Sequence, residues 1–413
     1  MNMKEYSYMH LNEQVDVDSH VICRYKITTD LPMDMAAESL AAEQSTGTWT
    51  GISTLDEDIF QRYGAKIVEI KGDEVTIAYP EEDFSIEVGG IPQILSVIAG
   101  NLFGLESLKG VRLEDVEFPK GIMSMYKGPK FGTEGLRRIL DRKEKPLVGT
   151  IVKPKIGLSP KKTADYVYDS GSGGLTNSKD DETLVDQSFC PIEDRTIAIA
   201  EALDRLRAEG NNMIHAINIS TNGDRILELA EKVQSWGATQ VMVDVITCGY
   251  AAVQAISEDP SIKIPIHVHR TMHGSFTKDP LHGISMVTIA KLVRMCGGDA
   301  LHIGTLGVGK MVGSVEEDMR SLNACLNRNG YKDVMPVCSG GVYPGMVGKI
   351  VEKSGFNVQI QAGGGVAGHP DGVKGGAMAM CQAVDAAYKR CPVNKYAESH
   401  AELNKALDLW GFK

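Results

Sequence analysis

From residue 146 onward the chain repeats one pattern: a short apolar run, a polar or glycine-rich turn, then a longer stretch with helical periodicity. The apolar runs are 147–152, 175–178, 213–219, 240–245, 264–268, 300–303, 335–338 and 358–360. Helical patterns lie between them, for example at 192–209, 225–236, 283–295, 315–327 and 342–353. Eight strand–helix units in about 240 residues predict a (β/α)8 barrel, whose active site sits at the carboxyl ends of the strands. Residues 370–413 continue as helices that close the barrel. Residues 1–145 read differently, as a smaller α+β domain. They carry a strand at 21–27, a helix at 33–43 and a hairpin of 65–70 with 75–79 around Lys71-Gly-Asp-Glu74. A buried helix at 91–99, a strand at 110–118 and a linking helix at 132–142 come after it. The expected class is therefore α/β: an amino-terminal domain over 1–145 and a TIM barrel with carboxy-terminal helices over 146–413.

The barrel reading predicts polar residues just after each strand, and the sequence has them. Lys153-Pro-Lys155 follows the first strand, its two lysines at i and i+2 pointing the same way. The fifth strand ends in His267-Val-His-Arg270, with His273 a few residues on. The sixth runs into Gly304-Thr-Leu-Gly-Val-Gly-Lys310, whose three glycines suit a lid with a lysine at its tip. The seventh ends in Ser339-Gly-Gly341 and the eighth in Gln361-Ala-Gly-Gly-Gly365. Glycine-rich turns after strands seven and eight are where barrels bind phosphate through backbone N–H groups. Arg270, His273, His302 and Ser339 are candidates for a second phosphate site.

The second strand carries the densest cluster, Gly171-Ser-Gly-Gly-Leu-Thr-Asn-Ser-Lys-Asp-Asp-Glu-Thr183. In an extended chain Lys179 and Asp181 face one way and Asp180 the other, and Glu182 joins the first pair only if the strand ends there. Alone, such a run is a solvated turn. At a barrel rim its carboxylates suit a hard cation such as Mg²⁺. An ammonium repels a metal, so Lys179 either neutralises the acids or is modified to something anionic. A metal beside a carbonyl and a hydroxyl acidifies the adjacent C–H, which makes enolisation of a phosphorylated substrate the natural chemistry.

Composition excludes other classes. The net charge of −11 argues against a nucleic-acid partner, and no run of 18 apolar residues predicts a membrane span. The start, Met1-Asn-Met-Lys-Glu-Tyr6, has no apolar core of a signal peptide. Eight cysteines without a C-x-x-C pair fit reduced thiols and a cytoplasmic protein.

Together these residues resemble a known family, the large chain of ribulose-1,5-bisphosphate carboxylase/oxygenase (RuBisCO). The stretches that carry the resemblance are Ala42-Glu-Gln-Ser-Thr-Gly-Thr-Trp49, Gly149-Thr-Ile-Val-Lys-Pro-Lys-Ile-Gly-Leu158 and Gly173-Gly-Leu-Thr-Asn-Ser-Lys-Asp-Asp-Glu182. His269-Arg-Thr-Met-His273, the Lys310 loop, Ser339-Gly-Gly341 and Gly363-Gly-Gly-Val-Ala-Gly-His-Pro370 complete the set, in the family's order. The length and the Gly-Val-Gly-Lys lid look most like the archaeal form III enzymes.

The resemblance implies that Lys179 is carbamylated by CO₂ and, with Asp181 and Glu182, holds Mg²⁺. It implies carboxylation, and oxygenation by O₂, of ribulose 1,5-bisphosphate. The carbamate takes the C3 proton, Lys153 manages protons at C2, and Lys155 sits near the metal-bound oxygens. Lys310 stabilises the new carboxylate and His269 assists at C3. One phosphate falls to Thr48, Trp49, Gly341, Gly363 and Gly364, the other to Arg270, His302 and Ser339, and Gly340 and His273 count among the substrate-binding residues. Glu43, Thr48, Trp49 and Asn101 reach a neighbour's barrel in this family, so a homodimer or an assembly of dimers is expected, without a small subunit. Form III resemblance places the reaction in nucleotide (AMP) salvage.

The sequence departs from the family pattern at three places. Thr176-Asn177-Ser178 stands where an acidic residue is expected before the carbamylated lysine, Met311-Val312 where a glutamate commonly follows Lys310, and Gln44 where serine is usual. Two rival readings share the fold: a RuBisCO-like enolase or isomerase of another sugar phosphate, and a non-catalytic scaffold. Relatives of the first kind lose some of the lid lysine, phosphate ligands and amino-terminal Glu/Asn, all present here. The second needs no intact Lys179/Asp181/Glu182 set.

Overall fold

The computed structural model describes residues 6–310, 313–327 and 330–413, so the departure at Met311-Val312 lies outside the described residues. The chain divides into two compact units, Met1–Lys127 with Met272–Met295, and Gly128–Thr271 with Cys296–Lys413.

The first unit is built on a five-stranded sheet. In chain order its strands are β1 (His20–Thr28), β2 (Lys66–Lys71), β3 (Glu74–Pro80) and β4 (Gly110–Glu117); the fifth is Gly283–Ile284. Strand β1 alternates buried and partly exposed positions, as expected of a sheet with one face in the core. It pairs antiparallel with β3 and β4, and β2 with β3 forms the expected hairpin. The helix Gly90–Ile98 buries Ile91, Ile94 and Ile98, three positions on one helical face. Tyr25 is fully buried and donates its hydroxyl to Ile98 O at 2.7 Å, closing a polar group inside that core.

The single helix expected over 283–295 is corrected. Gly283–Ile284 is extended and pairs in parallel with Arg112 and Leu113 of β4, and the helix starts only at Met286. Gly283 has φ +113°, a conformation that side-chained residues rarely adopt, and a Cβ there would collide with Phe276 O. Ser285 Oγ then accepts from Thr288 N at 3.1 Å and caps the helix.

The second unit is a closed barrel of parallel strands. They are β5 (Leu147–Ile151), β6 (Asn177–Lys179), β7 (Ile214–Asn218), β8 (Gln240–Asp244) and β9 (Ile266–His269), then β11 (Ala300–Gly304), β12 (Met335–Ser339) and β13 (Gln359–Ala362), with β10 naming Gly283–Ile284. Strands β7, β8 and β11 are buried at every position, as parallel strands covered on both faces must be. Leu136 and Leu140 of the helix Gly132–Leu140 pack with Leu147, Ile214, Ala300, Met335 and Val337 at the amino-terminal ends of the strands. This packing groups that helix with the barrel rather than with the domain read over 1–145.

The second barrel strand is shorter and later than the run 175–178, and a helix not singled out in the sequence precedes it. Pro160–Ser172 is helical, with Ser159 capping it and Pro160 in its first turn, where a missing N–H costs nothing. The helix expected from 342 starts at Val347, after a 3-10 turn at Pro344–Met346. Among the described residues no helix is long and apolar enough to cross a membrane.

Candidate active site

Strand β6 ends at Lys179, and the side chains beyond it divide between two sides. Asp180 turns away from the barrel axis into a buried network: Arg195 Nε donates to its Oδ2 at 3.1 Å and the Asn218 backbone N–H donates to the same oxygen at 3.0 Å. His215 Nε2 lies 3.1 Å from Oδ1, and the other ring nitrogen is 2.7 Å from Ser178 Oγ. Burial alone would raise the Asp180 pKa, but Arg195 and the His215 and Asn218 hydrogen bonds outweigh it and hold the carboxyl at about 2. Asn218 Nδ2 also donates to the carbonyls of Asp181 and Glu182, at 3.4 and 3.1 Å. The backbone that carries the cluster is thus held from behind.

On the cavity side Lys179 is buried, with Nζ donating to Asp180 O at 2.8 Å and lying 3.7 Å from Glu182 Oε2. Burial outweighs the pull of Glu182 and Asp181 and lowers its pKa below that of an ordinary lysine. Lys153 Nζ donates to Asp181 Oδ2 at 2.7 Å, which overcomes the cost of burial and keeps Asp181 ionised. Lys155 Nζ stands 3.8 Å from Glu182 Oε1.

The later strands supply imidazoles. His269 Nδ1 is 2.9 Å from Asp244 Oδ1 at the end of β8, and its Nε2 is 3.8 Å from Glu182 Oε2. His267 Nε2 and His302 Nε2 are 2.7 Å apart, and His302 Nδ1 is 2.5 Å from Ser339 Oγ. Burial drives the His267 pKa down to about 3 and that of His302 well below the ordinary histidine range. Arg270 is buried, and burial lowers its pKa to about 10. The nearby carboxylates of Asp318 and Glu317 offset part of that effect.

The loop that ends at Lys310 lies against the turn after β12. Lys310 N donates to Gly340 O at 3.0 Å, and Gly309 N to Thr305 Oγ1 at 2.8 Å. Gly341 has φ +76°, and a Cβ on it would meet Lys310 Cγ at 2.6 Å, so the absent side chain admits the lysine. A cavity of about 620 Å³ opens between these elements. It is lined by Lys153, Lys155, Lys179, Glu182, His269, His302 and Lys310, and by Ser339, Gly340, Gly341, Gly363 and Gly364. Gln361, Tyr343 and Trp410 also line it, and the motifs did not single out the last two. Asp244, likewise missed, had one signal: a lone acid closing the apolar run Val241-Met-Val-Asp244.

Other candidates belong to the first unit. Asn101 Nδ2 donates to Glu43 Oε1 at 3.3 Å. Gln44 holds that pair in register: its amide donates to Val97 O, and its Oε1 accepts from Leu102 N at 3.1 Å. Thr48 is exposed and Trp49 is 92% exposed. His273 has Nδ1 2.8 Å from Thr277 Oγ1. In the departure before Lys179, Thr176 Oγ1 bonds both N and O of Val148 across the strand pair, each at 3.1 Å.

A closed parallel barrel with clustered lysines and imidazoles at the carboxyl rim, facing glycine turns, defines a class: barrel enzymes that bind phosphorylated carbonyl compounds. Two family descriptions match the chain, "Ribulose bisphosphate carboxylase large chain, catalytic domain" over residues 132–410 and the corresponding N-terminal domain over 7–122. The chain belongs to the RuBisCO large-chain family. It is 41% identical over 404 residues to a ribulose bisphosphate carboxylase of Methanocaldococcus jannaschii, covering 92% of this chain and 94% of that one. The crystal structure of the octameric RuBisCO of Pyrococcus horikoshii superposes with a TM-score of 0.92 at 37% identity, over 99% of this chain and 98% of that one. The dimeric archaeal RuBisCO of Hyperthermus butylicus gives 0.87 at 34%, over 98% and 99%.

Proposed function

We propose that this chain is a ribulose-1,5-bisphosphate carboxylase/oxygenase that works as a dimer, with Mg²⁺ held by Asp181, Glu182 and a carbamate on Lys179. The observation that carries the reading is the state of Lys179. It is a buried amine of lowered pKa, next to two carboxylates. A lowered pKa favours the neutral amine, and only the neutral amine attacks CO₂. Among the described residues no group of three His, Cys, Asp or Glu side chains can hold a metal ion. The donor set becomes a three-oxygen site for a hard cation only when Lys179 contributes an oxygen. The residues present therefore fit the carbamate and the metal together, and fit the metal poorly without it.

Bound there, Mg²⁺ would acidify the C–H beside a coordinated carbonyl. The chain's own residues do the rest. Backbone N–H groups of Gly341, Gly363 and Gly364 receive one phosphate, and Arg270 with His302 and Ser339 receives the other. Lys153 moves a proton at C2. His269 acts at the C3 hydroxyl, and Lys310, carried on the lid, faces the carboxylate that forms when CO₂ adds. Glu43, Thr48, Trp49 and Asn101 complete the site of a second copy; the 92% exposure of Trp49 supports this, since so large an apolar ring is seldom left bare. A place in nucleotide salvage rests on the form III resemblance alone.

The test is incubation with ribulose 1,5-bisphosphate, Mg²⁺ and ¹⁴C-bicarbonate. Labelled 3-phosphoglycerate is expected. Exchange of the C3 proton with no labelled product would favour the enolase or isomerase reading instead.

A further inference from the structure

Histidine has two ring nitrogens, and a neutral ring can accept a proton only at the one that is bare. Which nitrogen of His269 is bare is decided on the side away from the cavity. Asp244 and His269 are paired positions on the adjacent parallel strands β8 and β9, so the ladder itself brings the two side chains together. Asp244 Oδ1 lies 2.9 Å from His269 Nδ1. Only 4% of the Asp244 side chain is exposed, and its backbone is fixed by Ser220 Oγ, which accepts from Asp244 N at 2.9 Å. The ring is turned edge-to-face against His302, with centroids 4.8 Å apart, which limits rotation.

We propose that Asp244 is a positioning residue: it holds His269 as the Nδ1–H tautomer and leaves Nε2 as the accepting nitrogen on the cavity side. The inference rests on the carboxylase reading for its kinetic consequence, but not for the tautomer itself. An ionised carboxylate only accepts, so Nδ1 must carry the proton. The Thr271 backbone N–H lies 3.2 Å from the same nitrogen and would favour a bare Nδ1. That contact and the Asp244 bond exclude each other, and the shorter, charge-assisted one prevails. Glu182 Oε2, 3.8 Å from Nε2, is beyond hydrogen-bond reach and does not compete for that nitrogen. With Nε2 bare, His269 can accept a proton from a substrate hydroxyl. With Nε2 protonated, it cannot.

The experiment is magic-angle-spinning ¹⁵N spectroscopy of full-length protein labelled with ¹⁵N-histidine, at pH 8 and without substrate. His269→Gln identifies the resonance among the ten histidines. In the wild type, His269 should show a protonated Nδ1 and a bare Nε2. In Asp244→Asn, the amide can donate to Nδ1 alongside Thr271, and the pattern should reverse. The same variant should lose about 10²-fold in kcat for both C3 proton exchange and carboxylation, with KM nearly unchanged. Asp244→Glu should recover part of that loss. A wild-type His269 protonated at Nε2 overturns the proposal, and this measurement needs no variant to fold. So does an Asp244→Asn protein that keeps the wild-type tautomer. Absence of carboxylation by the wild type would instead strike at the proposed function, since the spectrum does not depend on turnover.

Discussion

Lowering the pH should unfold this barrel through His267. The ring is buried inside the strand layer, with Nε2 2.7 Å from His302. Burial first, and then the nearby Lys179 charge, bring its pKa to about 3. Linkage sets the sign: the unfolded chain, with a histidine near 6.5, takes up a proton that the folded chain refuses. Stability is therefore full above about pH 6.5 and falls as the pH drops through the window between about 6.5 and 3. At pH 5 the loss from this one residue is about 2 kcal/mol, and the full span is worth about 5 kcal/mol. Urea unfolding of wild type and His267→Gln at pH 7 and pH 5 tests it: glutamine keeps a polar partner for His302 and does not titrate, while His302, lowered mainly by burial, titrates in both proteins. The variant's stability should fall by about 2 kcal/mol less than the wild type's between the two pH values. Asp244 and Asp299, raised to about 6 mainly by burial, act in the opposite sense in both proteins and cancel in the comparison. Equal pH slopes in the two proteins would refute the reasoning.

Three further outcomes are expected. Preincubation with CO₂ and Mg²⁺ should raise carboxylase activity and Lys179→Ala should abolish it; full activity in CO₂-stripped, metal-free enzyme would remove the case for the carbamate. Gly341→Ala, at φ +76° with its new methyl 2.6 Å from Lys310 Cγ, should cost about 1–2 kcal/mol in stability and displace the lysine by the order of an ångström. Carboxylation should then fall about 10²-fold, more than C3 proton exchange, a difference that paired tritium-exchange and ¹⁴C assays measure directly. Finally, co-expressed Glu43→Ala and Lys179→Ala chains, each inactive alone, should recover about a quarter of wild-type activity if sites are shared across a dimer, since half the dimers are hybrids with one sound site; inactive purified hybrids would place Glu43 in its own chain's site.

The parts of this molecule that were legible in the sequence are those governed by period and by end. Buried parallel strands read as largely apolar runs, and the residues at and just beyond their carboxyl ends are the polar rim, so Lys153, Lys179, His269 and Ser339 could be placed from the pattern alone. Where a feature depended on a distant partner, the sequence was silent. The strand Gly283–Ile284 exists because β4 offers it an edge, and nothing within 283–295 announces that. The helix Pro160–Ser172 does carry its start signal, Ser159-Pro160, and the glycines near its end obscured it.

The departure before Lys179 shows the same division between local pattern and tertiary support. Read locally, Thr176-Asn177-Ser178 lacks the acidic residue that should stiffen a metal-binding strand. In the fold the stiffening comes from the far side of the lysine, where alternation turns Asp180 outward onto Arg195, His215 and the Asn218 N–H. Ser178, outward by the same alternation, ties the other nitrogen of His215 at 2.7 Å. An acid before the lysine is therefore not required to hold the cluster. What is required is that Ser178 and Asp180 face one side while Lys179 and Asp181 face the other, and a two-residue period supplies that without any further choice of residue. Loss of Arg195 should then disturb Lys179 more than any substitution at Thr176, because it leaves a buried carboxylate without its cation one residue away, whereas the Thr176 hydroxyl bonds the Val148 backbone and its neighbour Asn177.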